Sequence, residues 1–106
     1  MNTTQLSEVN DFINKLSNDD AAKILAQLKS LENGWTEALI IKSLKGKIRE
    51  LIVGQYRIVF FGHGNTIYAI DAFRKKSQKT PKRIIEKASN KYNIIIKIKN
   101  ENKKGK

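Results

Sequence analysis

The residues of chemical consequence that this sequence holds in quantity are arginine, lysine and tyrosine. There are 21 Lys+Arg in the chain, against one His and no Cys. Such side chains suit phosphate chemistry. A guanidinium fork holds two phosphate oxygens at once, which an ammonium cannot do. Cleaving RNA by attack of its own 2′-hydroxyl needs an in-line geometry, cations around the phosphorane, a base for the hydroxyl and an acid for the leaving oxygen. Arg57 stands out because it interrupts an otherwise apolar run, Tyr56–Phe61. Its plain structural reading is an outward residue on an open sheet face, where Arg57→Ala would leave folding intact. Arg74 opens the densest basic stretch, with six cationic residues in the ten from Arg74 to Arg83, punctuated by Ser77, Gln78 and Thr80. That mixture reads as a phosphate-contact surface.

Other chemistries are poorly supplied. With no Cys there are no disulfides, thiol nucleophiles or Cys-ligated zinc. The sole histidine, His63, lies between two glycines in an expected turn, so a two-histidine ribonuclease is excluded by counting. Glu50 and Asp71 are single carboxylates in different expected strands. They could meet across the sheet, but no metal site and no cofactor is expected from them. No P-loop and no dinucleotide-binding glycine pattern is present. Nor is there an apolar run approaching the ~20 residues needed to cross a bilayer. Met1–Gln5 lacks the basic and apolar regions of a signal peptide, so a cytoplasmic location without membrane association is expected.

The charge is uneven. Residues 1–33 hold three lysines and five acids, a net −2, whereas residues 34–106 hold 18 basic and five acidic residues, a net +13. One part reads as scaffold and the other as a surface facing a polyanion, for which nucleic acid is the first choice and an anionic membrane the second.

The elements that must position these residues follow from periodicity. Leu6, Val9, Phe12, Ile13 and Leu16 make the apolar stripe of a helix over about 6–17. Ala21, Ile24, Leu25, Leu28 and Leu31 make a second stripe, with Asn18 as its cap, Asp19 and Asp20 in its first turn and Gly34 after its end. This helical hairpin reads as a packing layer. From Ile48 the pattern becomes extended: Ile48–Val53, Tyr56–Phe61 and Thr66–Phe73 are rich in β-branched and aromatic residues. Gly54-Gln55 suits a type II′ hairpin turn, and Gly62-His63-Gly64-Asn65 a second turn. The expected architecture is α+β: the hairpin on one face of a three- to four-stranded antiparallel sheet, the other face open to a ligand, and a C-terminal helix. Thr80 would cap that helix with Pro81 at its first position. Asn93–Lys99 fits either a short strand or a continued helix. The expected organisation is one domain over 1–99 and a frayed basic tail over 100–106.

Taken in order, these residues resemble a known family. The run Leu44-Lys45-Gly46-Lys47-Ile48-Arg49-Glu50-Leu51, then Gln55–Phe60, then Phe73-Arg74-Lys75-Lys76-Ser77-Gln78-Lys79-Thr80-Pro81 is similar to the phage-derived HigB branch of the RelE toxin superfamily. The last block is the most specific, and the resemblance spans about Val9 to Tyr92. It implies a small mixed fold and the toxin half of a type II toxin–antitoxin pair, an endoribonuclease that works without metal or cofactor. Its implied partners are the ribosome with its mRNA, cleaved in the A site, and a helix-turn-helix (HigA-like) antitoxin. It implies catalytic roles for Arg57, Arg74 and Lys75, and RNA contacts by Arg49, Lys76, Lys79, Lys82 and Arg83. Tyr92 would be a proton-transfer candidate.

Two departures from the family pattern stand out. Ile52 occupies a place where relatives carry an arginine. Arg49, the nearest cation, falls on the opposite sheet face by alternation. The opening β-strand of relatives would here be absent or very short, exposing an edge that an antitoxin could pair with. The rival expectation is a non-catalytic basic module, a decayed toxin that binds RNA or an antitoxin. A peripheral membrane protein fits less well, because the basic stretch lacks interleaved large apolar residues.

Overall fold

The computed structural model describes residues 1–77 and 79–104, the last three by backbone alone. The elements in chain order are β1 (Asn2–Gln5), α1 (Ser7–Asn14), α2 (Asn18–Glu32), β2 (Ile40–Lys45), β3 (Ile48–Val53), β4 (Tyr56–His63), β5 (Thr66–Arg74) and α3 (Lys82–Lys104). Five strands form one sheet in the order β1-β5-β4-β3-β2. The pairings are antiparallel except for β1, which runs parallel to β5. The fold is therefore α+β as expected, with a larger sheet. Two strands escape the periodicity reading. β1 is polar, and its pairing with β5 joins residues about sixty positions apart, such as Asn2 with Thr66. It is short but present, so it covers that edge of the sheet. β2 supplies the opposite edge.

Alternation along β3 and β4 sorts side chains onto two faces. Leu51, Val53, Tyr56, Ile58 and Phe60, with Ile67 and Ala69 of β5, pack against Val9 and Ile13 of α1 and Ile24, Leu28 and Leu31 of α2. This is the packing layer expected from the two helical stripes. Each fully buried Leu, Ile or Phe contributes about 1.5–3 kcal/mol relative to exposure.

The second face is not left open. Ile48, Val59, Phe61, Tyr68 and Ile70 pack under α3, which presents Ile84, Ala88, Tyr92, Ile95 and Ile96 at helical spacing. Phe61 makes an edge contact with Tyr92 at 4.7 Å and stacks on Tyr68 at 5.2 Å. The packing of Ile95 and Ile96 settles the ambiguity over 93–99 in favour of helix, against their strand propensity. α3 runs on to Lys104, so the tail expected to fray from Asn100 is helical over 100–104; Gly105 and Lys106 lie outside the described residues.

Local geometry differs from the sequence reading at three places. Ser17, not Asn18, caps α2, accepting the Asp20 N–H at 3.2 Å. His63 stays paired with Thr66 at the end of β4, and the turn is only Gly64-Asn65. Gly54-Gln55 is the expected two-residue link, with Gly54 at φ 58° as a type II′ turn requires at its first position. A glycine-first link also joins β2 to β3 at Gly46-Lys47. A bulge in β5 leaves Ile70 without a partner between Ala69 and Asp71. Among the described residues no helix is long and apolar enough to cross a membrane.

Candidate functional site

Where β5 ends and α3 begins, the chain arches back over the ends of β3 and β4. Beneath it lies a cleft of about 390 Å³. Register explains which side chains reach it. Glu50 and Ile52 of β3 lie on the α3 face, and Arg57 pairs with both Ile52 and Phe73. Lys42 of β2 stands opposite Glu50. The loop after β5 brings Lys75, Lys76, Lys79 and Thr80, and α3 brings Arg83. Seven cationic side chains and one carboxylate line this single cleft. Convergence of one charge sign on a concave wall focuses the field and raises the local concentration of anions.

The site rests on fixed backbone. The Lys75 N–H donates to Gln55 O at 2.7 Å, extending the β4–β5 ladder to the Gly54-Gln55 turn. Ser77 Oγ donates to Lys79 O at 2.8 Å. Pro81 O accepts the N–H groups of Ile84 and Ile85, starting α3. The hydroxyl of Thr80, the residue expected to cap that helix, donates to Glu50 Oε2.

Arg57 overturns its simple sequence reading. It is not an outward residue but is 7% exposed, beside Glu50 at 3%. Its Nε stands 3.2 Å from Glu50 Oε1, and its Nη1 donates to Gly54 O at 2.8 Å and Tyr56 O at 2.9 Å. The buried carboxylate explains why a charged side chain can interrupt an apolar strand. An Arg57→Ala change without cost to folding is therefore no longer expected.

Arg74, by contrast, is exposed at the end of β5. Its guanidinium carbon lies 5.4 Å from the centre of the Tyr56 ring, and its Nη2 donates to Tyr56 Oη at 3.3 Å.

The sequence-derived candidates separate clearly. Arg57, Arg74, Lys75, Lys76, Lys79 and Arg83 meet in the cleft. Lys82, the first residue of α3, is exposed but does not line it. Arg49 faces the helical layer, in a different hollow with Lys47, Phe60 and Ile67. Tyr92 packs on Phe61 beneath α3 and is not part of the cleft. Gln78 lies outside the described residues. Glu50 and Asp71 do not pair, because Val59 stands between them in register with both. Asp71 accepts the Ala72 N–H at 2.9 Å. Among the described residues no group of three or more His, Asp or Glu could hold a metal ion.

Sequence reasoning missed Lys42, Thr80 as a partner of Glu50, and Tyr56. The glycine-first link Gly46-Lys47 was the signal for β2, and hence for Lys42.

Comparison with known proteins adds two findings. Residues 11–93 match the family described as phage-derived Gp49-like protein. The structure is also similar to a chain of the RelB–RelE antitoxin–toxin complex from Methanococcus jannaschii, with a TM-score of 0.55 and 20% identity, over 70% of this chain and 89% of that chain. At that identity the likeness is one of fold. No curated protein matches the chain.

Proposed function

The chain belongs to the phage-derived Gp49-like family, a family of RelE/HigB-type toxins, and from that membership we propose that it cleaves mRNA on the ribosome as the toxin of a type II toxin–antitoxin pair. The observation that carries this reading is the convergence of Lys42, Arg57, Arg74, Lys75, Lys79 and Arg83 on one cleft. The substrate is a single-stranded RNA phosphate. The 2′-hydroxyl attacks phosphorus as the bond to the departing 5′-oxygen breaks, and the proton of the attacking hydroxyl is removed while the leaving oxygen gains one. Arg74 and Lys75 neutralise the charge that builds on the phosphorane. Arg57 contributes through Nη2, the nitrogen that makes none of the bonds described above. Lys76, Lys79 and Arg83 hold the flanking phosphates, and Lys82 extends that surface. Arg49 lines a separate hollow on the α1–α2 face, and no contact with this phosphate is assigned to it. The ribosome supplies the in-line geometry that so few proton-transfer groups cannot enforce on free RNA.

The protein acts in the cytoplasm, without metal or organic cofactor. Its partner is a helix-turn-helix antitoxin of the HigA type. A second reading, a non-catalytic module that binds RNA or antitoxin, is favoured by one observation: Glu50 occupies Arg57, and Ile52 puts an apolar wall where a further cation would stand.

Expression in cells separates the two readings. Toxin action halts growth and leaves transcripts cut at in-frame codons, and Arg74→Ala, at an exposed position, relieves both while still folding. Growth arrest with intact transcripts supports the binding module instead.

A further inference from the structure

The α1–α2 layer carries more than packing. Tyr56 lies directly opposite Arg74 in the β4–β5 ladder. Its hydroxyl is 2.6 Å from Asp20 Oδ2, 3.3 Å from Arg74 Nη2 and 3.3 Å from Gln55 Nε2. The directions of these bonds are forced. A carboxylate only accepts and a guanidinium only donates. Tyr56 must therefore donate to Asp20 and offer its lone pairs to Arg74, giving one chain, Arg74 to Tyr56 to Asp20. The carboxylate polarises the phenol and strengthens it as an acceptor. The ring is 5% exposed and is held at its edge by Phe12, at 6.0 Å and 79°. Its face lies under the guanidinium.

Arg74 needs this support. An exposed arginine at a strand end has many rotamers, and a phosphate held by the ribosome is served by only a few of them. Asp20 itself does not line the cleft; it borders a separate hollow with Lys23, Gly54 and Gln55. It can reach the phosphate site only through Tyr56.

We propose that Asp20 and Tyr56 are positioning residues that fix the Arg74 guanidinium for the scissile phosphate. The proposal rests on the reading above, in which Arg74 acts on that phosphate.

The test is a mutant cycle on purified full-length protein with ribosomes programmed with mRNA, read as single-turnover cleavage. Tyr56→Phe lowers the cleavage rate about tenfold, with the half-saturating ribosome concentration unchanged. Asp20→Asn, which keeps an acceptor but loses the charge, gives a smaller loss of the same kind, and Asp20→Glu restores part of it. In an Arg74→Ala background neither Tyr56→Phe nor Asp20→Asn has further effect. If Tyr56→Phe proves not to fold, Asp20→Asn carries the same cycle, since Asp20 lies at the start of α2 and is only half-buried. Equal proportional losses in both backgrounds, or no loss in either, overturn the positioning role and leave the ribonuclease reading standing, provided that Arg74→Ala alone is slow. An Arg74→Ala protein as fast as the wild type overturns both.

Discussion

Arg57 shows how a residue can be legible by type and misread by environment. Its apolar neighbours in the sequence suggested an exposed face, because the partner that neutralises it, Glu50, lies on another strand. Thr80, thirty residues beyond Glu50, completes the group. Removing one member of a buried ion pair strands the other, at a cost of about 3–5 kcal/mol. That is a large share of the ~5–15 kcal/mol typical of a whole domain. Arg57→Ala is therefore expected to lower the urea midpoint steeply, and lost toxicity in that variant reports unfolding rather than chemistry. Removing both charges, as Glu50→Gln with Arg57→Gln, is expected to cost less than the sum of the single changes. Urea unfolding of Arg57→Ala, of Glu50→Gln and Arg57→Gln singly, and of the two together checks this, and an Arg57→Ala protein as stable as the wild type contradicts the buried pair. Arg74, exposed, is the cleaner probe of the reaction.

Among the elements, the helices and three central strands were readable because each carries its own periodicity. β1 and β2 were not. The residues of β1 are polar and gain strand conformation only by pairing with β5, and β2 is an edge strand with one face exposed. The length of α3 was hidden for a related reason: Ile94–Ile96 and Ile98 have strand propensity, and only packing of Ile95 and Ile96 under the sheet makes them helical. The cleft depends on these same tertiary placements, so its basic loop was visible in the sequence while Lys42 and the Glu50–Thr80 bond were not.

α3 is also clasped to α1. Glu8 meets Lys87 at 2.9 Å and Lys91 at 3.1 Å, and Lys91 donates to Ile70 O at 2.7 Å. The bond from Lys87, and then those from Lys91, hold the Glu8 carboxyl below its ordinary range. Glu8, in turn, and Asp71 hold the Lys87 ammonium above its own range. A depressed carboxylate stabilises the fold above its unfolded pKa, and the benefit is lost as pH falls through the folded value. A raised lysine stabilises below its unfolded pKa, and that benefit is lost as pH rises through the folded value. The clasp is thus intact between about pH 5 and pH 10. Both Glu8 and Lys87 are half-exposed, so the pair is worth at most about 1 kcal/mol. Glu8→Gln is expected to lower the thermal midpoint slightly at pH 7, and the gap to the wild type is expected to narrow as pH falls through the lowered folded pKa of Glu8. A gap that persists undiminished at pH 3 contradicts the electrostatic origin of the clasp.

For the whole molecule, the excess of +11 has a place and a direction. The acidic first third builds the helical layer, and its Asp20 accepts the Tyr56 hydroxyl beside the cleft. Seven cations of the later chain gather in the cleft at the end of the sheet. The one histidine lies far along β4 from this cleft, so the proposed reaction relies on positioned cations rather than imidazoles. Such a toxin would need its substrate presented in geometry rather than captured loose. The most direct test of that claim uses the purified protein with the same mRNA, once bound in initiated ribosomes and once free, with the cuts mapped by primer extension. The expected result is cleavage at the A-site codon in the ribosomal complex, loss of that cleavage in Arg74→Ala, and little cutting of the free RNA. An mRNA left intact on the ribosome, or cut equally well without it, would contradict ribosome-dependent cleavage.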